Sequence, residues 1–213
     1  MANETALRKI FGKNDKSGEI PSIILMNPKF SRNVAQAIRA CSCFGFKQCW
    51  FTGDRVQLEL TGKSRLPREE RMKGYSGVDI YHHDYPFERF GKDVIPIGVD
   101  LVKGAGSLFS FEHPKNAVYV FGPEDGSLPK VARMFCHQMV FIPMAHCCNL
   151  TSATYLMMYD RVFKQYLNGE IDEQGMESVL KEPRGWQNFE NDYYGNLDDN
   201  YKGKSVGDML DGK

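Results

Sequence analysis

The sequence lacks an excess of either charge: Lys plus Arg and Asp plus Glu number 27 each. A balanced chain sets up no global basic field, so any contact with nucleic acid has to come from a local patch. Paired cysteine spacing is also missing. Of six cysteines, Cys41 and Cys43 lie two apart and Cys147 and Cys148 are adjacent, and neither spacing suits a tetrahedral zinc site. The five histidines (His82, His83, His113, His137 and His146) form no ligand pattern, so no metal is expected. The first residues carry no apolar signal core, and no apolar run approaches membrane length. Together these absences lead to the expectation of a cytoplasmic protein with reduced thiols and no membrane partner.

Three nucleotide-binding and hydrolytic signatures are absent too. No G-x-G-x-x-G follows the first apolar run, there is no G-x-x-x-x-G-K-[ST], and there is no G-x-S-x-G. A standard dinucleotide site, a P-loop and a nucleophile elbow are therefore excluded as readings.

What is present is an alternation of two periods. Apolar content of 42% is that of an ordinary globular chain. Short β-branched and aromatic runs at 22–26, 48–52, 78–82, 94–99, 117–121 and 139–144 read as strands. Segments 31–44, 128–135 and 150–167 read as helices, with a shorter one near Phe87 to Phe90. Ser31 is the expected N-cap of the first and Gly45 its stop. Strand–helix alternation predicts an α/β fold with a mainly parallel sheet. The helix at 150–167 is apolar nearly all round in its first half, which predicts burial in the core or in a subunit interface. Residues 1–21 read as an arm with an amphipathic piece around Leu7, Ile10 and Phe11, 22–169 as one domain, and 170–213 as a partly irregular tail.

Candidate chemistry gathers at strand ends. The run Val118-Tyr-Val-Phe121 stops at Gly122, and Glu124 follows two residues later. Asn33 and Arg39 lie on the first helix, and Asn149 and Thr151 follow the last strand. Carboxyl ends of strands in an open α/β sheet converge on one crevice. Singly, Asn149 or Thr151 reads as a helix cap and Arg39 as a solvated helix position. The most basic local stretch holds Arg65, Arg68, Arg71 and Lys73, which reads either as a solvated helix or as a phosphate-contacting loop.

At these residues the sequence resembles the SpoU-type (TrmH-like) RNA ribose methyltransferases of the SPOUT class. Three segments carry the resemblance: Asn27-Pro28 through Asn33 and Arg39 to Phe44-Gly45; Val120-Phe-Gly-Pro-Glu-Asp-Gly-Ser-Leu128; and Ile142-Pro-Met-Ala-His-Cys-Cys-Asn-Leu-Thr-Ser-Ala153 running into Tyr159-Asp160-Arg161. The resemblance implies a C-terminal deep trefoil knot, S-adenosylmethionine as cofactor, a homodimer, and methyl transfer to a ribose 2′-hydroxyl of tRNA or rRNA. It implies that Arg39, Asn33, Glu124 and Asn149 serve the chemistry. It further implies that Asp100, Leu101, Phe121, Gly122, Ile142, Met144, Cys147, Cys148 and Thr151 hold the cofactor. RNA contact would fall to Arg65, Arg68, Arg71 and Lys73. Cys147 departs from the family, whose members commonly carry serine there, and a thiol is the weaker hydrogen-bonding group. A knotted RNA-binding protein without catalysis and a base-methylating enzyme are the alternative readings.

Overall fold

The strands follow strict two-residue alternation, and that alternation builds two cores. The computed structural model describes residues 18–56 and 78–172. In chain order it shows β1 (Ser22–Leu25), α1 (Ser31–Cys43), β2 (Gln48–Phe51), β3 (Asp79–His82), a 3-10 turn (Pro86–Arg89), β4 (Ile95–Val99) and β5 (Gly106–Ser107). A second 3-10 turn (Leu108–Ser110), β6 (Ala117–Phe121), α2 (Lys130–Phe135), β7 (Gln138–Phe141) and α3 (Leu150–Leu167) follow. Among the described residues the sheet has seven strands in the order β3-β2-β1-β6-β4-β7-β5, with every pairing parallel. The central strand β1 sits between β2 and β6, with Ile24 opposite both Trp50 and Val120.

Ile23, Leu25, Cys49, Phe51, Tyr119 and Phe121 turn to one face, where Val34, Ile38 and Cys41 of α1 and Met157 and Met158 of α3 cover them. Ile24, Trp50, Tyr81, Val118 and Val120 turn to the other, beneath Leu128 and Ala132. Both faces of the central strands are buried, as a parallel sheet requires, so those strands read as continuous apolar runs. At the edge, Trp50 stacks on Tyr81 with ring centroids 4.3 Å apart.

Several boundaries differ from the sequence reading, each for a local reason. Phe30, not Ser31, is the N-cap of α1, and it offers no capping side chain. Gly45 does end that helix, at φ +72°, with the Phe46 N–H reaching back to the Cys41 carbonyl in a Schellman arrangement. α2 begins at Lys130 rather than 128, because Pro129 takes the N-cap position and Leu128 packs below the sheet. β7 ends at Phe141, so Ile142 and Met144 lie in a connecting loop rather than in a strand. β5 is only two residues long, and no apolar run in the sequence marks it.

α3, expected to be buried in the core or in a subunit interface, is buried on one side only within this chain. Leu150, Thr154, Met157, Met158 and Arg161 face inward, whereas Leu156, Tyr159, Phe163, Tyr166 and Leu167 are exposed. Among the described residues no helix is long and apolar enough to cross a membrane. By its contacts the chain divides between Asn168 and Gly169. The amphipathic piece around Leu7, the basic stretch 63–73 and the aromatic tail lie outside the described residues.

A buried polar relay fastens α3 to the sheet. Arg161 Nη1 donates to the Tyr119 hydroxyl (3.0 Å) and to the Pro114 carbonyl (2.7 Å), and Nη2 donates to the Lys115 carbonyl. The Tyr119 hydroxyl lies 2.7 Å from His113 Nδ1, and His113 Nε2 lies 2.8 Å from Asp160, which Lys164 also meets. The donors and acceptors balance with His113 neutral, Tyr119 donating to Nδ1 and Nε2 donating to Asp160. Burial pushes the His113 pKa down, outweighing the upward pull of Asp160. The unfolded chain therefore takes up a proton near pH 6.5 that the folded chain resists, so stability should fall as the pH drops below about 6.5. Denaturant midpoints measured across that range should show the decline, and His113→Gln should flatten it.

Candidate functional site

The carboxyl ends of β4, β6 and β7 open onto one cleft of about 470 Å³. Its walls come from three connections: Asp100 and Leu101 after β4, Gly122 to Glu124 with Gly126 and Ser127 after β6, and Ile142 to Asn149 between β7 and α3. Val99, Phe121, Leu150 and Ala153 supply apolar floor. A cleft of this size and lining, at strand ends of an open sheet, is where α/β proteins bind small ligands.

Asp100 fixes the cleft's shape by closing the β6–α2 loop. Its Oδ1 accepts from the Leu101 N–H (2.8 Å) and its Oδ2 from the Leu128 N–H (2.7 Å). Gly122 permits the same closure, since a Cβ there would stand 2.8 Å from the Leu128 nitrogen and 3.1 Å from its Cα. Both neighbours are backbone and cannot swing aside. The glycine is required by the loop folding back on itself, whatever ligand the cleft holds.

Glu124 joins two ends of the sheet. Its carboxylate accepts from the backbone N–H groups of Lys29 (2.6 Å) and Phe30 (3.3 Å) and from Asn33 Nδ2 (2.6 Å). Partial burial pushes its pKa up, but the Asn33 bond and the backbone donors together outweigh that and hold it below the usual carboxylate value. Asn33 is buried, and its Oδ1 in turn accepts from Thr151 Oγ1 (3.3 Å) and Asn149 Nδ2 (3.5 Å). Asn149 is also the N-cap of α3, accepting from the Thr151 N–H at 2.7 Å. One Asn149 side chain therefore both caps α3 and reaches Asn33.

Of the expected site residues, Glu124, Asn149, Asp100, Leu101, Phe121, Gly122, Ile142, Met144, Cys147 and Cys148 line the cleft. Asn33 reaches it through Glu124. Thr151 is not among the lining residues, and its hydroxyl turns to Asn33 instead. Arg39 does not line the cleft of its own chain either. Six residues along a helix rotate it by about 120° from Asn33, so the two cannot point the same way. Burial raises the Cys148 pKa, so its thiol stays protonated, while Cys147 is exposed at the mouth. Arg65, Arg68, Arg71 and Lys73 lie outside the described residues.

Sequence reasoning missed Lys29, Arg55 and Asp125, which meet one another beside Glu124, and His146 in the wall. The rule that gathered the others would have found Arg55, which follows β2 as Glu124 follows β6.

The fold and cleft define an α/β protein with a doubly covered parallel sheet and a cleft of ligand size at its carboxyl edge. The chain matches the SpoU rRNA Methylase family over residues 21–159 and belongs to that family. Among solved structures it is similar to the SpoU methyltransferase AviRb from Streptomyces viridochromogenes in complex with the cofactor AdoMet, at 18% identity and a TM-score of 0.56, covering 75% of this chain and 61% of that one. It is similar to the A. aeolicus TrmH/SpoU tRNA modifying enzyme at 17% identity and a TM-score of 0.57, covering 84% and 95%. A structure described as giving insights into 2-OH methylation of C/U34 on tRNA matches at 20% identity and a TM-score of 0.57, covering 70% and 96%. These likenesses show the fold. The chain spans about 62% of the length of AviRb. No curated protein matches it.

Gly122→Ala should destabilise the protein by about 1–3 kcal/mol, the usual cost of forcing a methyl group into a packed site. Chemical denaturation checks this, with Gly126→Ala as the comparison, because a Cβ at 126 would meet only Pro123 Cγ at 3.8 Å.

Proposed function

We propose that the protein is an S-adenosylmethionine-dependent methyltransferase acting on a ribose 2′-hydroxyl of tRNA or rRNA. The observation that carries this reading is the Glu124–Asn33–Asn149–Thr151 network at the mouth of a cleft of ligand size. The cleft suits the cofactor. Its apolar floor can take an adenine ring, and its carboxylates Asp100 and Glu124 favour a cationic ligand. Backbone around Gly122, Ile142, Cys147 and Cys148 would hold it, with Asp100, Leu101, Phe121 and Met144 completing the wall. S-adenosylmethionine supplies a methyl group activated on a sulfonium.

A ribose hydroxyl is a poor nucleophile, so the residues must align it and stabilise the charge that develops as its proton leaves. Glu124 is ill suited to take that proton, because its carboxylate is held ionised by three N–H donors. Its role is orientation, shared with Asn33 and Asn149. Arginine is also a very poor base. Arg39 instead grips the target phosphate and stabilises the developing alkoxide. Because Arg39 stands away from its own chain's cleft, it acts on the cleft of a second copy.

The homodimer this requires is supported by α3, where Leu156, Tyr159, Phe163, Tyr166 and Leu167 form an exposed apolar stripe at helical spacing. The chain also passes from β7, on the far side of β4, back to pack α3 against α1. That return supports a knotted path for residues 142–149. RNA contact by Arg65, Arg68, Arg71 and Lys73 belongs to the same proposal.

Arg39→Ala should abolish methyl transfer while calorimetry still shows S-adenosylmethionine binding; full activity in that variant would refute the assignment. Mass mapping of ribose methylation in total RNA, with and without the protein, identifies the nucleotide. A methylated base there instead of a ribose would refute the 2′-hydroxyl as target.

A further inference from the structure

We infer that Arg55 and Asp125 form a positioning pair that holds Glu124 against the start of α1 for the reaction proposed above. The inference rests on Glu124 serving that reaction. Neither residue of the pair lines the cleft. Arg55 donates from Nη1 to Asp125 Oδ1 at 3.0 Å and from Nη2 to Oδ2 at 2.7 Å. Its Nη1 also lies 3.4 Å from the Asn27 carbonyl oxygen. Lys29 Nζ approaches the same carboxylate at 3.4 Å. One side chain from the loop after β2 thereby reaches the loops after β1 and β6 together.

Asp125 is the chain neighbour of Glu124, so a planar fork on one fixes the peptide that carries the other. A single exposed ion pair contributes little, and the Asp125 side chain is 45% exposed. A bidentate fork differs in that it constrains direction as well as distance. The surrounding loops are interlocked in a way that uses this constraint. The Asn27 N–H donates to Thr52 Oγ1 at 2.9 Å. Gly53, at φ +76°, leaves the space that the Asn27 side chain fills. The three loops are therefore tied to one another, and Arg55 is the cation that grips the Glu124 loop through both oxygens of Asp125. Glu124 then meets Lys29, Phe30 and Asn33 at the distances described.

The test compares Arg55→Ala, Asp125→Asn, the double variant and the exchanged pair R55D/D125R in the full-length protein. Each single variant should lower kcat by about tenfold to a hundredfold, the range expected for a displaced positioning group, with S-adenosylmethionine affinity unchanged. The double variant should be no worse than either single, and the exchanged pair should recover part of the loss, because Lys29 and the Asn27 carbonyl are not exchanged with it. Amide hydrogen exchange at Lys29 and Phe30 should accelerate in the single variants. The acid limb of the kcat–pH profile should move to higher pH, because Glu124 loses donors to its ionised form. Wild-type kcat with unaltered exchange would overturn the pair. So would an Asp125→Asn variant that binds RNA more tightly at full kcat, since Arg55 and Lys29 would then be phosphate ligands restrained by Asp125. If the wild-type protein transfers no methyl group, the proposed function fails, and exchange at Lys29 and Phe30 still decides whether the pair positions Glu124.

Discussion

The N–H groups where the chain turns into α1 have no capping side chain of their own, because the residue in the cap position is Phe30. Such donors must be satisfied from elsewhere, and here the carboxylate of Glu124 accepts from Lys29 and Phe30. A negative charge at a helix start is favoured by the aligned backbone dipoles as well. This one contact settles several features together. It joins the carboxyl ends of β1 and β6, keeps the carboxylate ionised, and leaves Asn33 one turn into the helix with its amide on Glu124 and its oxygen toward α3. Removing Glu124 would therefore strip a helix start of its acceptor at the same moment as it took a carboxylate from the cleft.

The sheet explains why the site falls where it does. β1, β4 and β6 are parallel and covered on both faces, so their carboxyl ends point to one edge and nowhere else. Each loop leaving that edge is then shaped by a local device. Asp100 draws the Leu128 amide inward, Gly122 lets the loop double back, and Asn149 caps α3 while bonding Asn33. None of these devices depends on a ligand, so the cleft is formed by the chain itself.

Much of this was legible in the sequence, because burial on both faces turns strands into continuous apolar runs. The run at 117–121 is bounded by polar residues on one side and glycine on the other, and its extent matches β6. Where local pattern and tertiary pairing part company, the reading failed. Ile142-Pro-Met144 is apolar enough to extend a strand, yet Pro143 has no N–H for a ladder, and β7 stops before it. Gly106–Ser107 is too short to carry any period. Leu128 is apolar because it packs under the sheet, not because it opens a helix. In the site, strand-end logic gathered Asn33, Glu124 and Asn149. It could not show that Arg55 and Asp125 meet, since they are 70 positions apart and nothing local marks either as the other's partner. Nor could it show which way Arg39 turns, a matter of helical phase rather than of composition.

The contact at the helix start joins residues 95 positions apart, and β1 takes β6 as its neighbour across a separation of 96. A ribosome has therefore released most of the domain before the first strand can meet its inner partner. Until β6 arrives, β1 has only β2 beside it, and the α1 start has no acceptor. Closing so long a loop must precede any reward from the pairing, which places this protein among slow-nucleating parallel sheets. The nascent chain, with its apolar strands uncovered for that interval, is the form most in need of a chaperone.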